Sequence, residues 1–163
     1  MRGICDKLSA KEGSMSTKSA VAVARFLSGY NCAQSIVYAF SDDLGVDENL
    51  ALKMACGFGA GMGRKQEVCG AVSGGIMVIG LKYGRGENDD RKVMDMAYVK
   101  VRALMDRFSE KYGTFICREL VGGCELTKDE GQKLYKEKDL LHKVCAPCIV
   151  SVAGILEDIL LQV

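Results

Sequence analysis

A single proline, Pro147, and a single histidine, His142, stand in a chain of 163 residues. No segment alternates apolar and polar side chains as a half-buried strand would. Scarce proline leaves long stretches free to keep their helical hydrogen bonds, so helices are expected throughout. An excess of charge is missing too: Lys and Arg number 22 against 21 Asp and Glu. No strong field is available to collect nucleic acid or anionic lipid. The opening MRGICDKLSAKEG has no apolar centre of the secretory kind, and the longest apolar run, Ala71 to Leu81, is broken by glycines and short for a bilayer. The expectation is a cytoplasmic chain without nucleic-acid partners and without direct membrane insertion.

With 48% apolar residues the chain can bury one core, and it is short for two. No repeat or polar linker divides it, so 1–163 reads as one helical domain, with 1–15, which include Cys5, as a mobile tail. A bundle of about five to seven helices is expected, with a glycine-rich loop before a central helix.

The glycines punctuate that reading. A first helix runs from Thr17 to Ser28 and ends at Gly29. Asn31 caps a second helix, with Gln34 placed to complete a capping box and Cys32 in the first turn. A third helix lies between Asp47 and Cys56. In GFGAGMGRKQ, Gly57, Gly59, Gly61 and Gly63 defeat regular structure. The fourth helix, Glu67 to Tyr83, starts beside Cys69 and carries small residues that let another backbone approach. Asn88, Asp89 and Asp90 start the longest helix, which ends at Gly113; its Met94, Met96 and Met105 read as core filling. Thr127 and Glu130 suggest another capping box. The last helix, Ala146 to Leu161, has Cys145 at its N-cap.

What the chain has in abundance is cysteine, eight in all. In a reducing compartment these rarely serve as permanent staples, which leaves metal binding, reversible redox chemistry or burial. Cys32, Cys69 and Cys145 fall at predicted helix starts, where free amides and the helix dipole stabilise a thiolate. Arg64 and Lys65 would add positive charge near Cys69. CAPC, from Cys145 to Cys148, is a Cys-x-x-Cys with proline early in a helix, suited to a dithiol. No strand–helix–strand pattern surrounds it, so a thioredoxin-like domain is not expected. Equally, Cys148 could simply face the core.

Zinc-ribbon spacing is absent, because Cys32, Cys56, Cys69, Cys117 and Cys124 are 24, 13, 48 and 7 residues apart. No histidine follows CAPC, which removes the c-type haem signature. The glycine run lacks the Gly-Lys-Ser/Thr of a phosphate loop. His142, three residues before Cys145, could accept a thiol proton, though a surface role is the commoner one for such a residue.

The succession GYNCAQS, GFGAGMGRKQEVCGAVSGG, CREL and a cysteine opening an amphipathic C-terminal helix resembles the C-GCAxxG-C-C family of redox proteins, over residues 20 to 162. Cys69-Gly70-Ala71-Val72-Ser73-Gly74 matches its CGAxxG core. Cys32, Cys117 and Cys145 correspond to its other characteristic cysteines. The resemblance implies an all-helical redox-active protein. Cys5, Cys56 and Cys148 depart from the pattern, and Cys124 in VGGCEL is common without being defining. Cys56 could pack in the core, and both it and Cys5 are left outside the site.

The site read from the sequence is therefore Cys32, Cys69, Cys117 and Cys145, with Cys148 and Cys124 as secondary redox candidates and Gly57, Gly59, Gly61, Gly63 and Arg64 beside it. The first functional expectation is thiol–disulfide cycling without a required cofactor. The alternative is an iron–sulfur electron carrier using the same four cysteines as ligands. A non-redox binding or scaffold protein with structural cysteines is the third. The redox readings call for a partner protein or a small-molecule electron donor or acceptor. A homodimer could form through the small-residue face of the fourth helix.

Overall fold

A computed structural model describes residues 16–161. The proposed tail 1–15, with Cys5, lies outside the described residues. Among the described residues are eight α-helices: α1 Thr17–Leu27, α2 Cys32–Ser41, α3 Glu48–Ala55, α4 Gly70–Tyr83, α5 Arg91–Tyr112, α6 Cys117–Leu120, α7 Asp129–Glu137 and α8 Ala146–Leu161. No strand is present among them, so the all-α expectation is met. The only β-type pairing there is an isolated bridge between Val68 and Ile116.

Local sequence explains most of the boundaries. Asn31 accepts from the Gln34 amide at 3.0 Å, and the Gln34 side chain accepts from the Asn31 amide at 3.1 Å, closing the capping box that starts α2. Asp47 caps α3 through the Leu50 amide at 2.8 Å. Asp90 caps α5, and Gly113, at φ +79°, ends it in the left-handed conformation. The Thr127–Glu130 capping box does not form. The Lys128 amide turns back to the Glu125 carbonyl at 3.0 Å, and α7 starts only at Asp129 without a side-chain cap.

The core lies where α2, α4 and α8 meet, with α1 and α5 packed outside them. Phe40, Ile36, Ile79, Leu104, Phe108, Ile149 and Leu156 are fully buried there. Close approach of α2 to α4 depends on Gly74, where a Cβ would stand 2.8 Å from the Ala33 carbonyl oxygen. Gly75 turns the other way, against Leu104 and Val152. Gly74 and Gly75 are thus covered within the chain, whereas Gly80 has nothing within 4 Å. Met96 is exposed, so the methionine stripe of α5 is only partly core.

The glycine run does not form the expected irregular loop. Cys56–Phe58 is a 3-10 turn, and residues 60 to 63 make a left-handed turn, with Ala60 at φ 50°, Gly61 at 66°, Met62 at 65° and Gly63 at 61°. Glycine tolerates this conformation, whereas each L-residue in it costs about 1–2 kcal/mol. Arg64 and Gln66 also have positive φ, at 68° and 62°. Strain is therefore concentrated in the segment leading to Cys69.

The C-terminal helix also departs from expectation. A π-helical turn, Leu141–Cys145, runs straight into α8, so Cys145 lies inside a continuous helix and not at its N-cap. Pro147 has no amide hydrogen for the Lys143 carbonyl, and the Ala146 amide reaches back to Leu141 instead, widening the turn. The combined helix Leu141–Leu161, and not Ala71–Leu81, is the most apolar long stretch. Its mean hydropathy of 2.0 over a window makes it long and apolar enough to cross a membrane by composition. In the structure it packs into the bundle, burying Cys148, Ile149, Val152, Ala153 and Leu156.

Candidate functional site

Five sulfurs line one cavity of about 240 Å³. Cys32 stands in the first turn of α2, Cys69 immediately precedes α4, Cys117 opens α6, and Cys145 and Cys148 come from the last helix. The structure thus brings together the four principal sequence candidates and adds Cys148. Cys124 is buried outside the cavity lining, and Cys56 is exposed and also outside it, so it does not take up the core position open to it.

Backbone pairing sets Cys69 beside Cys117. The Cys69 amide donates to the Phe115 carbonyl at 2.8 Å, and the Cys117 amide donates to the Glu67 carbonyl at 2.7 Å, on either side of the Val68–Ile116 bridge. The left-handed turn forms the adjoining wall. At Gly61 a Cβ would meet the Gln66 Cα at 2.6 Å and the Cys117 Cβ at 2.7 Å. Gly70 brings α4 against α2, a Cβ there standing 3.1 Å from the Cys32 Cβ. Gly59 leaves room for Asn31, whose side-chain amide donates to the Cys56 carbonyl at 2.9 Å. Gly57 and Gly63 make no comparable approach to the cysteines.

Within the cavity the thiols pair. The neighbouring Cys145 sulfur raises the Cys32 thiol well above its ordinary value; burial acts in the same direction. Cys145 is lowered in return, first by Cys32 and also by Tyr135, whose hydroxyl donates to its sulfur at 3.1 Å, against the opposing effect of burial. Cys148 is raised first by the neighbouring Cys69 and then by burial. Cys69 is lowered first by that Cys148 thiol and then, against burial, by the amides of Ala71 and Val72 at the start of α4. Cys117 stands apart, pushed up to about 12 chiefly by burial. The cavity therefore holds two pairs, each of one thiolate-favouring and one protonated sulfur.

The surrounding residues include several that sequence reasoning missed. Tyr135 reaches Cys145 from α7, where nothing in a short polar helix singles it out. Tyr112 donates to the Pro147 carbonyl at 2.9 Å, and burial raises its phenol. Gln66, almost fully buried, donates to the Cys124 carbonyl at 2.6 Å and accepts from the Leu126 amide at 2.9 Å, tying that loop to the cavity floor. Arg64 and Lys136 line the cavity as exposed cations, and no Asp or Glu lines it. His142 is exposed and held by Asp139 at 2.6 Å, away from the sulfurs.

A helical bundle, without strands among the described residues, that gathers five cysteines from four separate segments around one cavity defines an all-helical, cysteine-centred protein. The family model described as "Putative redox-active protein (C_GCAxxG_C_C)" matches residues 30–159. The chain belongs to that family. No curated protein and no solved structure matches it.

Proposed function

We propose that this chain is a cytoplasmic thiol–disulfide redox protein working through Cys32 and Cys145. The observation that carries the reading is that both line one cavity and both are partly exposed, with Tyr135 donating to the Cys145 sulfur. A thiolate is the attacking form in disulfide exchange. Cys145 attacks one sulfur of an incoming disulfide and releases the other half as a thiolate. Cys32 then gives its proton to that released thiolate and attacks the Cys145 sulfur, releasing the second half as a thiolate. Two electrons pass to the substrate, one disulfide is reduced, and one Cys32–Cys145 disulfide forms. The redox partner is accordingly a disulfide, carried by a protein or by a small molecule. A reducing compartment suits such a pair because it returns exposed cysteines to thiols.

Thiolates are also suitable ligands for an iron–sulfur cluster, and Cys32, Cys69, Cys117 and Cys145 would be the residues to hold one. Among the described residues, however, no three Cys, His, Asp or Glu side chains converge to hold a single metal ion. The test is anaerobic purification followed by thiol titration with a small disulfide and peptide mapping. Colourless protein yielding a Cys32–Cys145 disulfide, lost in Cys32→Ser and Cys145→Ser, is the expected result. A sulfur-to-iron absorption band that disappears in the same variants would overturn it in favour of the cluster.

A further inference from the structure

The Cys32–Cys145 reading leaves a second pair unused. Cys69 and Cys148 line the same cavity, but both are buried, with relative exposures of 6% and 1%, whereas Cys32 and Cys145 are only partly buried. A substrate disulfide entering from solvent therefore meets the outer pair first. The inner pair is not isolated: Cys148 lies one helical turn beyond Cys145, and Cys69 lines the same cavity as both. Cys69 is in addition aimed at by the first amides of α4.

We infer that Cys69 and Cys148 form a second, inner dithiol that exchanges electrons with the Cys32–Cys145 pair, so that one chain holds four reducing electrons and not two. This rests on the thiol–disulfide reading of the outer pair. Once the outer disulfide has formed, the Cys69 thiolate attacks the Cys145 sulfur, and Cys32 leaves as a thiolate that takes up the proton of Cys148. The Cys148 thiolate then attacks Cys69 in the mixed disulfide, and Cys145 leaves as a thiolate. The outer pair regains two electrons, the inner pair loses two, and one proton has moved from Cys148 to Cys32. A second substrate disulfide can then be reduced at the outer pair.

The test is a rapid-quench time course of the reduced full chain with a small aromatic disulfide, trapped by acid and alkylation and mapped by mass spectrometry. Two disulfides per chain should accumulate, Cys32–Cys145 and Cys69–Cys148. In Cys145→Ser the inner disulfide should form at least about tenfold more slowly, because its route is cut. Cys148→Ala should stop at one disulfide, and the wild-type time course gives the stoichiometry without any variant. Inner-pair oxidation at the wild-type rate in Cys145→Ser, or a Cys32–Cys145 disulfide with no second one, overturns the relay alone. Failure of Cys32 and Cys145 to join at all overturns the underlying reading instead.

Discussion

The Tyr135 hydroxyl donates to the Cys145 sulfur at 3.1 Å from a helix that shares no sequence motif with it. Burial raises the Tyr135 phenol, so it stays protonated and remains a donor when Cys145 ionises. A hydrogen bond to a charged group contributes about 1.5–3 kcal/mol, and one pKa unit corresponds to about 1.36 kcal/mol. Tyr135→Phe should therefore raise the apparent pKa of Cys145 by about one unit and lower its alkylation rate at neutral pH about tenfold. Rate against pH for the isotopically tagged Cys145 peptide measures this. An unchanged profile would show that the hydroxyl has no hold on the thiolate.

Cys117 contributes to stability in the opposite sense. Its thiol moves from an ordinary 9.0 to about 12 in the folded chain. Above pH 9 the unfolded chain loses this proton while the folded chain keeps it, so the unfolded state binds fewer protons and stability falls as pH rises from 9 towards 12. Below pH 9 both states are protonated and the contribution is constant. For this group alone the slope is at most about 1.4 kcal/mol per pH unit. Urea denaturation of reduced wild type and Cys117→Ala should give curves whose difference is flat below pH 9 and narrows above it. A difference independent of pH across that window would contradict the burial of this thiol.

Legibility in the sequence followed the range of the interactions. The Asn31–Gln34 box spans three residues and could be read directly, as could the Gly113 stop and the Asp47 and Asp90 caps. The Thr127–Glu130 box, equally local in form, lost to the Lys128–Glu125 turn. Cys145 was misplaced because Pro147 usually marks a helix start, yet here a π turn absorbs its missing amide. The four family cysteines were found through ordered motifs, but the partner of each was not, since Cys32–Cys145 and Cys69–Cys148 are contacts between distant helices. Nothing local marks Gly61 as the residue that seats Cys117.

Gly74 offers a packing test of the same architecture. Alanine is intrinsically better in a helix by about 1 kcal/mol, so an open site would be stabilised by Gly74→Ala. Here the added Cβ would stand 2.8 Å from the Ala33 carbonyl oxygen and 3.0 Å from its Cα, both backbone atoms that cannot rotate away. Overpacking of this kind typically costs about 1–3 kcal/mol. Gly74→Ala should lower the urea midpoint, whereas Gly80→Ala on the same helix, with nothing within 4 Å, should leave it equal or raise it. Equal shifts in both variants would mean that α2 and α4 are not in contact at Gly74.

Cys69 separates two accounts of a stabilised thiolate. The sequence places Arg64 and Lys65 a few residues before it, and proximity in the chain suggests charge stabilisation. In the folded protein Arg64 is an exposed side chain at φ +68°, and its charge is spent largely in solvent. What lowers Cys69 is first the Cys148 thiol and then the Ala71 and Val72 amides. Removing the donor with Cys148→Ala should raise the Cys69 pKa by about one unit, the equivalent of about 1.4 kcal/mol, while Arg64→Ala should move it by a few tenths at most. Because Cys69 is 6% exposed, its Cβ carbon chemical shift is a better reporter than alkylation. The opposite order, a large shift with Arg64→Ala and none with Cys148→Ala, would return the thiolate to the basic turn and remove the inner pair's donor from the chemistry.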